Sequence, residues 1–348
     1  MSLAIRSETE IVNHHQLLDE RAKQFFDNAK AANTKKSYQA DWEDFEEWCK
    51  HNNLCSMPAD IQTVIRYLTD RATLPWVRLV SKRSGRGENM QLVDTPIVFQ
   101  PLKASSIERR LSAISKAHQY AGHLFDRKNV ILAEVLKGIK RENGTAQEQK
   151  TAILTEDVKA MTQTLTGIQG VRDKAIILLG FVTALRRSEI VALRLSDLKE
   201  VKEGFELMVR FSKTDQAGEG KTKTIPCGSN SETCPVMAIK EWIDELNSRE
   251  ISEGALFRAI DRHGNVRGKS LCSASISLII KRNEHLKGRS DKFGGHSLRA
   301  GFCTQSSLNG VPDSLTMLQS GHKDANTFGK YVRVANLWKN SAATRLGL

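Results

Sequence analysis

The chain has little proline, few tyrosines and no long apolar run. Of its 348 residues, seven are proline and four are tyrosine. The longest apolar stretch, residues 175–182, is too short to cross a membrane and indicates a buried helix instead. Residues 1–7 soon turn polar, which argues against a secretory signal. We therefore expect a cytoplasmic protein.

Cysteine usage gives no sign of a disulfide framework or a metal centre. None of the six cysteines forms a CxxC pair, and no group of histidines completes a zinc set. Phosphate-binding loops of the GxxxxGK type and acidic metal clusters are also missing from the sequence. We expect free thiols, no metal and no cofactor. The cysteines are Cys49, Cys55, Cys227, Cys234, Cys272 and Cys303.

Positive charge is in excess. The chain has 52 basic and 40 acidic residues, a formal net charge of +12. A balance of this kind is typical of proteins that bind nucleic acid. A basic enzyme without such a partner would show the same balance, so charge alone does not decide between the two.

Apolar periodicity predicts a mainly α fold with a small antiparallel sheet, arranged as a two-domain clamp. Tyr38, Trp42, Phe45 and Cys49 form one helical stripe. Residues 205–211 alternate as a half-buried strand, and residues 222–227 follow as its partner. Residues 75–103 break the pattern and indicate an extended basic loop. The expected divisions are a loose tail (1–15), a helical core-binding domain (16–141), a linker (142–152), a catalytic domain (153–333) and a docking tail (334–348).

One set of residues suits phosphodiester chemistry. It combines cations with a single phenol at fixed spacing in the last third of the chain and around residue 186. Cations can stabilise a crowded phosphorane, while a phenol can attack phosphorus. The set is Arg186, Glu189, Lys213, His296, Arg299, His322 and Tyr331.

The order Arg-x-x-Glu, Lys in a hairpin, His-x-x-Arg, Gly-His and Tyr resembles the catalytic signature of the tyrosine recombinase (lambda integrase) family. The first half, with Trp-x-x-Phe-x-x-Trp-Cys at residues 42–49, resembles the core-binding domain of Cre-like recombinases. Together the resemblance covers roughly residues 15–348. It implies a site-specific DNA recombinase that works through a 3′-phosphotyrosine and a Holliday junction.

The resemblance also implies a role for each residue. Tyr331 would be the nucleophile, and Arg186 and Arg299 would hold the non-bridging phosphate oxygens through their planar forks. Lys213 would be the general acid, although Lys221 and Lys223 share its hairpin. The remaining roles are proton transfer or phosphate orientation by His296, hydrogen bonding to phosphate by His322, and acceptance of a bond from His296 or Lys213 by Glu189.

Partners follow from the same likeness. It implies double-stranded DNA with inverted-repeat sites, a homotetramer on two sites, a monomer when free, and a nucleoid-associated enzyme of prokaryotic, phage, plasmid or transposon origin. The tail, with Leu337, Trp338 and Leu346, would dock onto a neighbouring protomer. Two alternatives stay open: a type IB topoisomerase-like or telomere-resolving enzyme, and a non-catalytic DNA-binding protein. The expected DNA contacts are Lys35, Lys36, Arg109, Arg110 and Lys116.

Overall fold

A computed structural model describes residues 8–28, 32–84, 91–146, 149–210, 220–336 and 346. The chain divides into two compact units, Met1–Gln147 and Glu148–Leu348. Helices dominate both units and the sheets are small and antiparallel, which confirms the predicted fold class.

The first unit is built from helices and one hairpin. Helices α2, α3, α4 and α5 enclose a core that includes Phe45, Leu68, Ile107 and Leu132, all fully buried. Asp60 caps α3 by accepting a hydrogen bond from the Thr63 amide at 2.6 Å. The elements are α1 (Glu8–Asn28), α2 (Ala32–His51), α3 (Ile61–Thr73), β1 (Trp76–Ser84), β2 (Gln91–Phe99), α4 (Ala104–Tyr120) and α5 (Val130–Asn143).

Helix α1 begins before the expected core-binding domain, and it has an exposed apolar side. It begins at Glu8, so the expected loose tail is wrong for residues 8–15. Its apolar side is also exposed: Leu17, Leu18, Phe25 and Phe26 each leave more than half of their surface open. Apolar spacing can give a helix one apolar side, but it does not show whether another element covers that side.

The predicted basic loop at residues 75–103 is a β-hairpin. Strands β1 and β2 pair antiparallel, with Trp76 opposite Phe99 and their rings stacked at 5.3 Å. Arg78 points to the helical side, where its guanidinium lies 3.3 Å from the Glu47 carboxylate. The other face leaves Val77 exposed. Apolar residues on both faces hide the two-residue period, which is why the sequence did not indicate a strand.

The second unit surrounds a larger core. A three-stranded antiparallel sheet, in the order β3-β4-β5, packs with α7 and α9 around it, and the fully buried Trp242 lies in this core. The elements are α6 (Thr155–Gln163), α7 (Gly167–Thr183), α8 (Arg187–Ala192), β3 (Leu198–Val201), β4 (Gly204–Val209), β5 (Lys221–Pro226), α9 (Pro235–Asn247), β6 (Arg258–Ile260), β7 (Val266–Ser270), α10 (Ser273–Lys281), α11 (Ser297–Leu308), α12 (Asp313–Ser320) and α13 (Ala325–Asn336).

Close backbone contact fixes α11 against the start of the second unit. The Ile153 amide donates to the Ser297 carbonyl at 3.1 Å. At Gly301, a Cβ atom would lie 1.8 Å from the Ile153 carbonyl oxygen, so a glycine is required there. This contact holds the helix that carries two of the candidate site residues.

Candidate active site

Three helix termini and one helix bring the predicted catalytic residues together. Arg186 immediately precedes α8, His296 and Arg299 lie at the start of α11, His322 follows α12, and Tyr331 lies within α13. Lys213 falls outside the residues that the structure describes. All the described members of the predicted set belong to the second unit.

Glu189 orients Arg186. The Arg186 amide donates to Glu189 Oε2 at 2.8 Å, and its Nη1 donates to Oε1 at the same distance. A glutamate at the third position of a helix commonly folds back onto the residue before the helix. Glu189 was expected to accept from His296 or Lys213. The structure corrects the first option, because Glu189 is buried and occupied by Arg186, whereas His296 bonds elsewhere.

Arg299 is deeply buried, with 2% of its surface exposed. Its Nη1 donates to the Ala184 carbonyl at 2.8 Å and to the Ser320 carbonyl. Its Nη2 is buried with no hydrogen-bond partner within the described ranges. Burial and the nearby Arg186 lower the pKa of Arg299. A buried donor without an acceptor, beside a second cation, is suited to an anion.

Tyr331 is paired with His296. The Tyr331 hydroxyl lies 2.8 Å from His296 Nε2. Burial and the positive charges of Arg299 and Arg186 lower the pKa of His296, so its ring is neutral at pH 7 and can accept a proton. Burial also raises the pKa of Tyr331, while the same two arginines oppose that increase. The phenol therefore needs a base, and the neutral imidazole lies within hydrogen-bond reach of it.

A hydrogen bond to Ser320 orients His322. Ser320 Oγ donates to the Thr316 carbonyl at 2.7 Å, so its lone pairs can accept from His322 Nδ1, also at 2.7 Å. Burial and then Arg299 lower the pKa of His322 to about 4. The neutral ring thus carries its proton on Nδ1, and Nε2 gains one only when negative charge arrives to raise the pKa. An anion beside Arg299 would supply that charge.

Comparison with known proteins decides the family. Residues 152–337, more than half of the chain, match the model of the phage integrase family. The chain belongs to the phage integrase family. These proteins are the tyrosine recombinases of the lambda integrase type, which confirms the resemblance seen in the sequence and identifies an enzyme of site-specific DNA recombination.

Two relatives extend the match along most of this tyrosine recombinase. The integrase/recombinase xerD homolog of Selenomonas ruminantium is 31% identical over 341 residues, covering 96% of this chain and 91% of that protein. Tyrosine recombinase XerD of Oceanobacillus iheyensis is 26% identical over 293 residues, covering 83% and 90%. Both alignments extend well beyond the residues that match the family model.

One solved structure supports the fold. It is the XerH site-specific recombinase bound to a palindromic difH substrate in a post-cleavage complex. The TM-score is 0.55 with 17% identity, covering 71% of this chain and 69% of that one. At that identity the likeness concerns the fold alone.

Two residues beside the candidate site were not singled out in the sequence. Ser320 orients His322, and Lys223 on β5 donates to the Thr183 carbonyl at 2.9 Å and to the Gln319 carbonyl. Lys223 was considered only as a rival to Lys213. A signal was present in both cases: Ser320 lies two residues before a motif histidine, and Lys223 lies in the predicted partner strand.

The expected DNA contacts lie in the first unit and differ in availability. Lys36 is exposed, and Lys35 pairs with Asp27 at 3.1 Å on the surface. Lys116 is partly exposed and lies 5.0 Å from the Tyr120 ring centroid. Arg109 is exposed but donates to Asp41 at 2.7 Å.

Arg110 requires a correction. It is buried and donates to Asp44, so it is not available to a phosphate in this structure. Asp41 and Asp44 of α2 are buried, and they accept hydrogen bonds from Arg109 and Arg110 respectively. Burial raises the pKa of Asp44, but Arg110 and Arg71 outweigh that effect and hold it below its usual value. The helical spacing of apolar residues does not reveal these ion pairs, because they join two helices that are far apart in sequence.

Metal-ligand groups and membrane spans are both absent from the residues that the structure describes. Among them, no three histidine, cysteine or acidic side chains are grouped as metal ligands would be. No helix within these ranges has both the length and the hydropathy of a membrane span.

Replacing His296 by Asn should slow cleavage by this tyrosine recombinase about 10²–10⁴-fold, the contribution expected of a general base. The wild-type rate should fall on acidification only below about pH 6.5, because the pKa of His296 lies below its ordinary value. The variant should lose this acidic decline. Rates of adduct formation between pH 5 and 8, at subsaturating concentrations so that they report the pKa of the free protein, measure both effects. A variant that keeps the acidic decline would show that another group is the base.

Proposed function

We propose that the chain cleaves and rejoins DNA at specific sites through a 3′-phosphotyrosine on Tyr331, passing through a Holliday junction. One observation carries this proposal: Tyr331 Oη lies 2.8 Å from His296 Nε2, in a site where Arg299 Nη2 is buried without a partner in the described part of the chain. The site offers a nucleophile, a base and an unoccupied cationic donor, which are the parts that transfer of a phosphodiester requires.

The proposed cleavage step balances without a metal or a nucleotide. His296 accepts the Tyr331 proton as the phenolic oxygen forms a bond to phosphorus, and the bond from phosphorus to the 5′ oxygen breaks. Arg186 and Arg299 hold the non-bridging oxygens. The leaving 5′ oxygen takes a proton from a general acid, for which the family likeness proposes Lys213. Joining is the reverse attack by a DNA 5′ hydroxyl, so the phosphodiester energy is conserved.

His322 enters this step after the phosphate binds. The negative charge raises the pKa of His322 from its low value and places a proton on Nε2, which can donate to a phosphate oxygen. The hydrogen bond between Ser320 Oγ and Nδ1 keeps the His322 ring oriented while the phosphate binds. His322 thus keeps its expected role as a hydrogen-bond donor to phosphate. Binding of the phosphate gives Nε2 the proton that it donates.

Covalent trapping tests the proposal. On DNA nicked a few nucleotides to the 3′ side of the scissile phosphate, cleavage releases a short fragment that carries the 5′ hydroxyl. That fragment would diffuse away, so the adduct would accumulate and be visible on a denaturing gel. Recombination between two sites, compared with relaxation of a plasmid that holds one site, separates a recombinase from a topoisomerase-like enzyme. A chain that binds the site and gives no adduct would instead be the non-catalytic DNA-binding protein.

Lys35 and Lys36, at the start of α2, are proposed phosphate contacts. Replacing both by Ala should weaken DNA binding and reduce the slope of log affinity against log salt by about one per lost contact, since each contact releases about one counterion. Titration at several salt concentrations measures this. Glu43→Gln, elsewhere on α2, controls for a mere change of surface charge. An unchanged slope would mean that the two lysines are only solvated.

Assembly as a homotetramer on two inverted-repeat DNA sites is also part of the proposal. The expected anchors Leu337 and Trp338 lie outside the described residues, and Leu346 is exposed. The second unit has a groove of about 740 Å³ between α7, α11 and α12, lined in part by Phe181, Phe302 and Leu315. We propose that the groove receives the tail of a neighbouring copy.

Matched variants test that docking. Leu315→Glu in the exposed groove and Trp338→Ala in the tail should both leave half-site binding intact and lower cooperative filling of the full site. Gel-shift titrations on the two DNAs measure this. Full cooperativity in both variants would contradict docking of the tail in the groove.

A further inference from the structure

Two helix C-termini meet at the active site. Helix α7 ends at Thr183, three residues before Arg186, and α12 ends at Ser320, two residues before His322. The last carbonyls of a helix have no partner within it and form the negative end of its dipole. Two such ends side by side need hydrogen-bond donors, preferably cationic ones.

Two cations bridge these ends in parallel. Arg299 Nη1 donates to the carbonyls of Ala184 and Ser320. Lys223 Nζ donates to Thr183 and Gln319, one residue earlier along each segment. The bridged pairs therefore lie next to each other.

The Gln319 side chain adds an uncharged hydrogen bond between the same two segments, because it donates to the Val182 carbonyl at 3.1 Å. Arg299 keeps one terminal nitrogen, Nη2, unpaired within the described ranges. The contacts of the Lys223 ammonium go to main-chain carbonyls of both segments, so they join the segments themselves.

We infer that Lys223 is a positioning residue of the recombinase reaction, which holds the segment that carries Arg186 and the segment that carries His322 at the spacing needed to bind one phosphate. This inference rests on the proposed function. Lys223 would act through these two segments without touching the phosphate, while proton donation to the leaving oxygen stays with another group. A shift of about 1 Å in either segment would cost on the order of 10²-fold in rate.

The surroundings of Lys223 make its charge sensitive to pH. The charged and titratable groups that act on it or feel its charge come from four elements: Arg186 and Glu189 at α8, Arg299 and Cys303 on α11, His322 after α12, and Lys221 on β5. Burial, with Arg299 next, lowers the pKa of Lys223 to about 8. Above that pH the amine becomes neutral, and its bonds to the helix ends weaken.

The test compares Lys223→Met, Lys223→Arg and the control Lys221→Met, which removes an exposed lysine from the same strand. Each protein is saturated with nicked DNA, and single-turnover adduct formation is timed between pH 6.5 and 9.5. Half-site affinity and thermal unfolding check the fold. A second DNA carries sulfur in place of the 5′ bridging oxygen, because a thiolate leaves without a proton.

We expect Lys223→Met to cleave about 10–100-fold more slowly on both DNAs, with affinity unchanged within about twofold. Lys223→Arg should regain most of the rate and remove the alkaline decline of the wild-type chain, whose midpoint should lie above pH 8 because the bound phosphate raises the pKa of Lys223. Lys221→Met should match the wild type. Rescue of Lys223→Met by the sulfur DNA would make Lys223 the general acid and overturn the positioning role.

The remaining outcomes separate this inference from the proposed function. Wild-type speed in Lys223→Met, while Tyr331→Phe stays inactive, would overturn the positioning role alone. A pH profile of Lys223→Arg that coincides with the wild-type profile, at a rate no higher than that of Lys223→Met, would also contradict it. If the wild-type chain forms no adduct at all, the proposed function falls, and this inference falls with it.

Discussion

Tyr331→Phe is expected to bind its DNA site as tightly as the wild-type chain and to form no covalent adduct. The substitution removes one oxygen, and Phe fills the same partly buried space on α13. The loss of a nucleophile should reduce cleavage by at least about 10⁴-fold. Gel-shift binding and adduct formation on nicked DNA, measured on the same preparation, give both quantities.

The other tyrosines provide the controls for that variant. Tyr120→Phe, at an exposed position in the first unit, should keep the wild-type rate. Tyr67 is unsuitable as a nucleophile, because burial raises its pKa strongly and its hydroxyl donates to Asp44 at 2.7 Å. An adduct that persists in Tyr331→Phe would remove Tyr331 from the mechanism.

Arg299→Ala should lose both cleavage and stability. The guanidinium is a proposed ligand of the phosphate, so cleavage should fall about 10³-fold. It also holds the Ala184 and Ser320 carbonyls, and buried acceptors left unpaired cost about 1–3 kcal/mol each. Single-turnover cleavage and urea unfolding measure the two losses. Arg299→Lys should recover part of the stability but little of the rate, because a lysine cannot make the planar fork.

Arg187→Ala is the matched control for Arg299→Ala. Arg187 is exposed and lies next to Arg186, a proposed phosphate ligand. The substitution therefore removes a nearby positive charge and leaves the proposed phosphate ligands in place. It should cleave within a few-fold of wild type once the DNA is saturating. Equal rates for Arg299→Ala and Arg187→Ala would show that Arg299 acts only through general charge.

The structure brings the described members of the predicted set together, but the hydrogen bonds among them did not follow from the sequence. Spacing within short motifs places His296 and Arg299 on one helix start, because a helix turn fixes which residues face together. The bond between His296 and Tyr331 joins residues 35 positions apart, and no local period predicts it. The sequence pointed to His296 or Lys213 as the donor to Glu189, whereas in the structure Glu189 accepts hydrogen bonds from Arg186, three residues earlier at the start of the same helix.

Strands and charges in the first unit show the same limit. The α2 stripe correctly indicated that Phe45 and Cys49 are buried. The hairpin at β1 and β2 was hidden because both of its faces carry apolar residues. Burial of Arg110 depends on Asp44 from another helix, and charge pairs across helices leave no mark in the sequence of either one.

Mapping the residue that is joined to DNA tests the central claim most directly. The wild-type protein is trapped on nicked DNA, digested with protease and nuclease, and the nucleotide-linked peptide is sequenced by mass spectrometry. The account predicts a peptide containing Tyr331, joined to a 3′ phosphate and leaving a free 5′ hydroxyl on the other fragment. A link to Tyr38, Tyr67 or Tyr120, or to a 5′ phosphate, would contradict it.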